Sequence, residues 1–176
     1  LEFARKGGII MSASRSFLAL AVCLATACAS GGSAASDSPV EPATQVQAAA
    51  LRHVFQNNDS SLGISAGSYC VGVGSGLLNT DPSVSLLQAL ENPKVTRLSG
   101  CARVASRTHR WQVIDTLSRL PSLAFFVDQP SFPDSDTARV YVEYVQDPSF
   151  STGYDCVLSR TTAGWQVQRC DPGFPR

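Results

Sequence analysis

The C-terminal third of the chain, residues 123–170, is a succession of β-rich runs separated by turn-forming residues. β-Branched and aromatic side chains dominate the runs, which is typical of strands. They predict strands at residues 123–128, 138–145, 153–160 and 165–170. The connection at 161–164, with a glycine near its end, predicts a hairpin between the last two. We therefore expect an antiparallel sheet at this end of the chain.

Alternation within residues 138–145 predicts two different strand faces. The two sets are Val140, Val142 and Tyr144 on one face, and Arg139, Tyr141 and Glu143 on the other. One face should be dry, and the other wet or functional.

Pairing Cys156 with Cys170 would fix the register of the last hairpin, because a slip of one residue moves the two cysteines to opposite faces. Counted from that pair, Ser159 lies opposite Val167, and Thr161 lies opposite Trp165. One face would carry Val157, Trp165 and Val167, and the other Tyr154, Cys156, Leu158 and Cys170. Both faces are then apolar, so the pattern leaves open which one meets the core.

The N-terminus has the pattern of an export signal. Residues 1–10 resemble neither signal nor domain and are interpreted as an upstream segment, either a translated ribosome-binding site or a cloning scar. Met11 is the natural start, Arg15 supplies a positive charge, and residues 17–25 form an apolar run too short to span a bilayer.

Residues 24–28, Leu-Ala-Thr-Ala-Cys, resemble the lipobox of bacterial lipoproteins. The resemblance implies that residues 11–27 are a signal peptide and that the thiol of Cys28 is lipidated after cleavage, which anchors the chain in a membrane. Because Ala29 is not Asp, it also implies an outer-membrane lipoprotein that faces the periplasm. The alternative is an ordinary signal peptide cut near Ala27, which gives a soluble periplasmic or secreted protein.

Residues 28–40 are rich in Gly, Ser and Ala and predict a flexible tether. Residues 41–176 are expected to form a single globular domain. The 14 Lys and Arg residues balance 14 Asp and Glu residues, so the chain lacks the basic excess of a nucleic-acid-binding protein.

Beyond the signal and the lipidation site, four cysteines remain: Cys70, Cys101, Cys156 and Cys170. An even number in an exported chain favours two disulfides. Of the three possible connectivities we favour Cys70–Cys101 and Cys156–Cys170, because the hairpin brings the second pair together. A zinc site is disfavoured, since no C-x-x-C motif is present.

Helices are predicted before the sheet. Residues 42–57 carry an apolar stripe at helical spacing. Asp81 and Pro82 are suited to begin a second helix that reaches residue 91. Residues 68–73 and 94–98 favour short strands, whereas residues 107–120 fit a helix or a strand equally well.

This order predicts an α+β fold in which N-terminal helices pack on a curved antiparallel C-terminal sheet. The order of elements, together with residues 138–145 and 164–167, resembles cystatin-like or NTF2-like folds. The whole resembles bacterial lipoproteins of uncharacterised families.

Catalytic, cofactor and metal motifs are not found in the sequence, so we predict no catalytic residue, no cofactor and no metal. Two weaker alternatives are a general base made of His109 and Asp115, and a calcium contact at Asp134 and Asp136.

Charge is segregated along the chain. Residues 94–119 hold six basic residues and one acid, Asp115, whereas residues 128–155 hold six acids and one base, Arg139. One interpretation is that the two segments pack together and neutralise each other. The other is that the basic segment meets an anionic partner, such as lipopolysaccharide, peptidoglycan carboxylates or an acidic protein. The candidate binding residues are Arg97, Arg103, Arg107, His109, Arg110 and Trp111.

Two functions follow as hypotheses. The first is a non-enzymatic, lipid-anchored envelope protein that binds another envelope component, a protein or a polymer. The second is an NTF2-like small-ligand binder or enzyme with a cone-shaped pocket. Such a pocket would be lined by some of Tyr141, Tyr144, Trp165, His109 and Asp115.

Overall fold

The computed structural model describes residues 40–58, 66–74, 79–108 and 110–173. They belong to a compact unit, Ser38–Arg176. The upstream segment, the signal peptide, Cys28, the tether up to residue 39, and His109 lie outside the described residues. In chain order the elements are α1 (Pro42–Asn57), β1 (Tyr69–Val73), α2 (Val84–Leu90), β2 (Val95–Arg97), β3 (Cys101–Val104), β4 (Gln112–Asp115), β5 (Leu123–Val127), β6 (Thr137–Asp147), β7 (Phe150–Thr161) and β8 (Gly164–Gly173).

The α+β class is confirmed, and α1 has the predicted bounds. Pro42 occupies the first turn of α1, where a missing N–H costs nothing. The apolar stripe is buried: Val46, Ala50 and Leu51 are fully covered, and Val54 is 2% exposed. The helix thus lies with this stripe against the sheet.

The prediction for the start of α2 is wrong. Ser83, and not Asp81, caps the helix, because its hydroxyl accepts a hydrogen bond from the N–H of Leu86 at 3.1 Å. Asp81 is already engaged with Ser99, whose N–H and hydroxyl donate to its carboxylate at 2.8 and 2.6 Å. These bonds lower the pKa of Asp81.

The main sheet has six strands in the order β2-β1-β5-β6-β7-β8. The last four run antiparallel, as predicted. β1, however, lies parallel to both β2 and β5. The sheet is therefore mixed, which corrects the expectation of an antiparallel sheet. The C-terminal pattern could not reveal a partner that lies 54 residues earlier in the chain, as Tyr69 does from Leu123.

The larger core lies between the helices and one face of the sheet. It contains the predicted dry set Val140, Val142 and Tyr144. An aromatic group joins the layers, with Phe55 of α1 4.7 Å from Phe125 and 4.9 Å from Tyr69, measured between ring centroids.

The opposite face of the sheet is partly covered as well. β3 and β4 pair as a separate two-stranded hairpin, and their apolar side packs on a smaller core: Cys70, Val113, Ala124, Phe126 and Val145. Of the two structures that fit residues 107–120, the described residues of this range adopt a strand, β4. Tyr141 and Glu143, expected on a wet face, are 4% and 8% exposed.

The predicted register of the β7–β8 hairpin is correct at one end and wrong at the other. Cys156 pairs with Cys170, but a register shift between Val157 and Leu158 places Leu158, not Ser159, opposite Val167. Arg160, not Thr161, then faces Trp165. The shift moves Trp165 and Val167 to the face of Leu158, so that they join the larger core.

Both predicted disulfides are present. Cys70–Cys101 closes a sequence separation of 31 and ties β1 to the start of β3, with a Cα–Cα distance of 6.2 Å. Cys156–Cys170 links β7 to β8 across the sheet, with a separation of 14. Two disulfides are typical of an oxidising, extracytoplasmic compartment.

Candidate functional site

The candidate site is the β3–β4 hairpin with the loops around it, which we call the cationic hairpin (residues 97–119). Cys101 pairs with Asp115 at one end, and Val104 pairs with Gln112 at the other. The Cys70–Cys101 disulfide holds one end against the sheet. Val113, 4% exposed, packs beneath the middle of the hairpin.

Arg103 and Trp111, which the sequence singled out, are brought together. The guanidinium carbon of Arg103 lies 4.6 Å from the centroid of the Trp111 ring, within cation–π range. Trp111 is half-buried and packs against the smaller core. The ring therefore gives the exposed arginine a fixed position on the surface.

The other arginines of the cationic hairpin are exposed. Arg97 ends β2, Arg107 and Arg110 lie in the loop between β3 and β4, and Arg119 lies in the turn after β4 with φ of 61°. In that turn Leu117 is 94% exposed. The hairpin thus displays its charges on a surface that also carries an apolar side chain.

Asp115, the single acid of residues 94–119, accepts hydrogen bonds from the turn that follows β4. Its carboxylate accepts hydrogen bonds from the backbone N–H groups of Leu117 and Ser118, both at 2.8 Å. The bonds from Ser118 and Leu117 lower the pKa of Asp115. Its negative charge is therefore directed at the turn.

The acidic segment lies beside other arginines. Asp128 and Asp155 line an open groove of about 430 Å³, together with Arg139 and Arg169. The ion pair between Arg169 and Asp171, 3.0 Å long, lies on the same groove. Asp134 and Arg160 line a different groove. In these two grooves the acids therefore lie beside arginines from outside residues 94–119.

Of the residues expected to line a cone-shaped pocket, the four that the structure describes do not converge. Tyr144 and Trp165 are buried in the larger core, at 0% and 9% exposure. Tyr141 lies on the opposite face, with its ring over Gly153. Asp115 stabilises a turn outside the main sheet, and His109 lies outside the described residues.

The acidic loop with Asp134 and Asp136 is exposed on the surface. Asp134 accepts a hydrogen bond from the N–H of Asp136 at 2.9 Å, which together with Thr137 lowers its pKa. The part of the chain that the structure describes holds no group of three or more His, Cys, Asp or Glu residues placed to bind a metal ion. Its helices are also all too short or too polar to cross a membrane.

Sequence reasoning missed a second feature of the site, a small groove under β3. It has a volume of about 270 Å³ and is mostly apolar; its lining includes Leu98, Ala102, Val113, Ala124 and Phe126. A Cβ on Gly72 of β1 would lie 2.9 Å from Leu98 and 3.1 Å from Phe126. Only the alternation of Ala124 and Phe126 in the most buried strand could have indicated a second apolar face.

Comparisons with known proteins give no match: neither a protein-family model, nor a curated protein, nor a solved structure is significantly similar to this chain.

Proposed function

We propose that this chain is a non-enzymatic lipoprotein of the bacterial outer membrane that faces the periplasm and binds another envelope component through the cationic hairpin. The lipobox-like residues 24–28 support the anchor at Cys28. The two disulfides support an oxidising compartment, which the periplasm is.

One observation carries the binding proposal: the hairpin concentrates arginines, and Asp115, the single acid of its own sequence, already accepts hydrogen bonds from the turn that follows β4. Arg103 is held on Trp111, while Asp115 is held by the turn that follows β4. A partner with phosphate or carboxylate groups would therefore meet a preorganised cationic surface.

The likeness to cystatin-like or NTF2-like folds belongs to the same proposal. It is supported by the antiparallel order β5-β6-β7-β8 and by α1, which packs on one face of that sheet. No activity follows from such a likeness.

The anchor is tested by replacing Cys28 with Ser in the full chain. The wild type should fractionate with the outer membrane and carry the mass of its acyl chains, because each buried methylene contributes about 0.8 kcal/mol to anchoring. The Cys28→Ser chain should appear in the soluble periplasmic fraction. Cys23→Ser, in the apolar run of the signal, is the matched control and should leave anchoring unchanged. Membrane association of Cys28→Ser at the wild-type level would refute the anchor.

The binding surface is tested with a triple variant, Arg103→Gln, Arg107→Gln and Arg110→Gln. The probes are lipopolysaccharide micelles, isolated peptidoglycan sacculi and cross-linking in the intact envelope. Retention on one of them should fall at least roughly tenfold and should weaken with added salt. The control triple Arg139→Gln, Arg160→Gln and Arg169→Gln removes the same charge from β6, β7 and β8. Equal losses in the two triples would contradict a site on the hairpin.

A further inference from the structure

We propose that the free edge of β3 accepts an extended, acidic peptide segment of a partner protein as an added strand. The inference rests on the proposed function and specifies the partner of the same hairpin. It follows from the direction of backbone groups in β3, from the groove beside them, and from the charge at the rim.

The direction of the backbone groups follows from hydrogen bonds on the far side of β4. Ser122 donates its N–H to the carbonyl of Val113 at 3.0 Å, and Asp115 donates its N–H to the carbonyl of Leu120 at 3.1 Å. Residues 113 and 115 therefore point their backbone groups away from β3. Since direction alternates along an antiparallel strand, residues 112 and 114 point toward β3.

The partners of residues 112 and 114 are Val104 and Ala102. These two residues consequently direct their N–H and C=O groups at β4, and Arg103 directs its own groups at the free edge. Among the residues that the structure describes, neither backbone group of Arg103 finds a hydrogen-bonding partner. Cys101 faces the same edge with its carbonyl, because its N–H already bonds to the carbonyl of Leu98.

The edge thus offers the carbonyl of Cys101 and both backbone groups of Arg103 in the spacing that an incoming strand requires. Unpaired strand edges are templates for β-augmentation, in which main-chain bonds supply affinity and pockets for alternate side chains supply specificity. β3 has four residues, so about four or five residues of a partner would pair with it.

The groove under β3 supplies the pocket. The side chains of an added strand would point alternately toward the apolar lining at Leu98, Ala124 and Phe126, and toward solvent. The side chain of Arg103 lines the same groove. A partner segment with an apolar residue and an acidic residue at successive groove-facing positions, two residues apart, therefore matches both the apolar lining and Arg103.

Lipopolysaccharide and glycan strands lack the regular N–H and C=O groups that would pair with Arg103. The open edge is what favours a peptide over these anionic polymers. If the polymers bind and the peptide does not, the inference of a peptide partner is wrong.

The experiment uses the full chain and a blocked heptapeptide in which valine and aspartate alternate at the odd positions, which share one face, with serine at the even positions. A counterpart with lysine in place of the acids tests the charge, and one with N-methyl groups on the residues that would face β3 tests the backbone bonds. Affinity is measured by calorimetry, and amide exchange by mass spectrometry. We expect the acidic peptide to bind and to slow exchange at the Arg103 amide at least roughly tenfold, with no change at Arg119.

Two substitutions of Arg103 separate the contribution of its backbone N–H from that of its side-chain charge. Arg103→Pro removes the outward N–H without removing a bond to β4, since proline is tolerated on strand edges; it should weaken binding at least roughly tenfold. Arg103→Gln keeps the N–H and should weaken binding about two- to fivefold. Arg160→Gln, an exposed arginine of β7, should have no effect. Unchanged urea denaturation and unchanged amide exchange in β4 would verify that each variant keeps the fold and the hairpin.

Equal affinity of Arg103→Pro and Arg103→Gln would overturn the inference, as would equal affinity of the N-methylated and unmodified peptides. If the peptide fails to bind while the hairpin arginines still retain micelles or sacculi, the inference fails and the proposed function stands. If none of these probes binds, both fail.

Discussion

At the scale of single residues, the polar groups of the cationic hairpin are fixed by local hydrogen bonds. Asp115 is the clearest case, since its carboxylate holds the turn that carries the exposed Leu117. A carboxylate whose charged form is hydrogen-bonded in the folded protein has a lowered pKa, as Asp115 does. Its contribution to stability must therefore depend on pH.

The first prediction concerns Asp115→Asn, which retains the shape of the side chain and removes its charge. An unfolded Asp has a pKa of about 3.9, and the folded value is lower, so the charge stabilises the fold above about pH 4 and loses this effect as pH falls through the folded pKa. The variant should be less stable than wild type by about 0.5–1 kcal/mol at pH 7, after allowance for partial exposure. Urea titrations should show this gap closing below about pH 4.

Asp171→Asn is the control for this prediction. It removes one partner of an ion pair whose side chains are 64% and 63% exposed. Such a pair contributes little, so its loss should be near zero at pH 7. A gap for Asp115→Asn that persists at pH 2 would contradict the assignment to charge.

The second prediction concerns Gly153 in β7, where the ring of Tyr141 occupies the space that a Cβ would need. Gly153→Ala forces the ring aside and should lower the free energy of unfolding by about 1–3 kcal/mol. Gly173→Ala is the matched control, because the nearest atom, a carboxylate oxygen of Asp155, lies 3.3 Å away at the end of a side chain. In a Tyr141→Ala background the cost of Gly153→Ala should largely vanish. An undiminished cost there would show that the strain lies in the backbone.

At the scale of elements, the sequence predicted individual helices and strands better than it predicted which strands pair. The apolar stripe of α1 and the β-rich runs of β5, β6, β7 and β8 gave these elements correctly, because each pattern reports a face that must be buried. The parallel pairing of β1 with β5 could not be predicted from local patterns, because it depends on which edge of the sheet remains free.

The register shift between Val157 and Leu158 shows why the hairpin was predicted only in part. Counting from Cys156–Cys170 assumes an unbroken ladder, whereas an extra residue on one strand exchanges the faces beyond it. The candidate site could also be predicted only in part. The sequence indicated Arg103 and Trp111, but the open edge of β3 follows only from the hydrogen bonds of β4 with residues 120–122.

The third prediction compares the two disulfides. By the loop-entropy relation, removing Cys70–Cys101 should cost about 3.7 kcal/mol, and removing Cys156–Cys170 about 3.0 kcal/mol, for separations of 31 and 14. Paired Cys→Ala variants and urea denaturation measure both costs. Loss of the first bond should also speed amide exchange selectively in β3 and β4, because this bond ties them to β1. Equal effects of the two variants on hairpin exchange would contradict this role.

At the scale of the whole molecule, one sheet carries a different layer on each face. The helices and the larger core cover one face, and the cationic hairpin and the smaller core cover part of the other. The two cores share the backbone of β1, β5 and β6, whose alternate residues supply both. A change that destabilises the packing on one face should therefore also destabilise the packing on the other, provided that the Cys70–Cys101 disulfide holds the hairpin to β1.

The fourth prediction uses the two tryptophans, which report the two layers separately: Trp165 belongs to the larger core, and Trp111 packs on the smaller one. Variants with a single reporter, Trp111→Phe and Trp165→Phe, are unfolded in urea, and fluorescence is compared with circular dichroism of the same variant. In the oxidised protein each reporter should follow the dichroism, because the sheet makes the layers one cooperative unit. Once Cys70 and Cys101 are replaced by Ala, Trp111 should report a transition about 1 M urea earlier, since an m-value of about 1–3 kcal/mol/M converts a local loss of about 2 kcal/mol into such a shift. An early Trp111 transition in the oxidised protein would instead make the hairpin an independent unit. In that case the arginines would be presented on a mobile element, and the preorganisation on which the binding proposal depends would be lost.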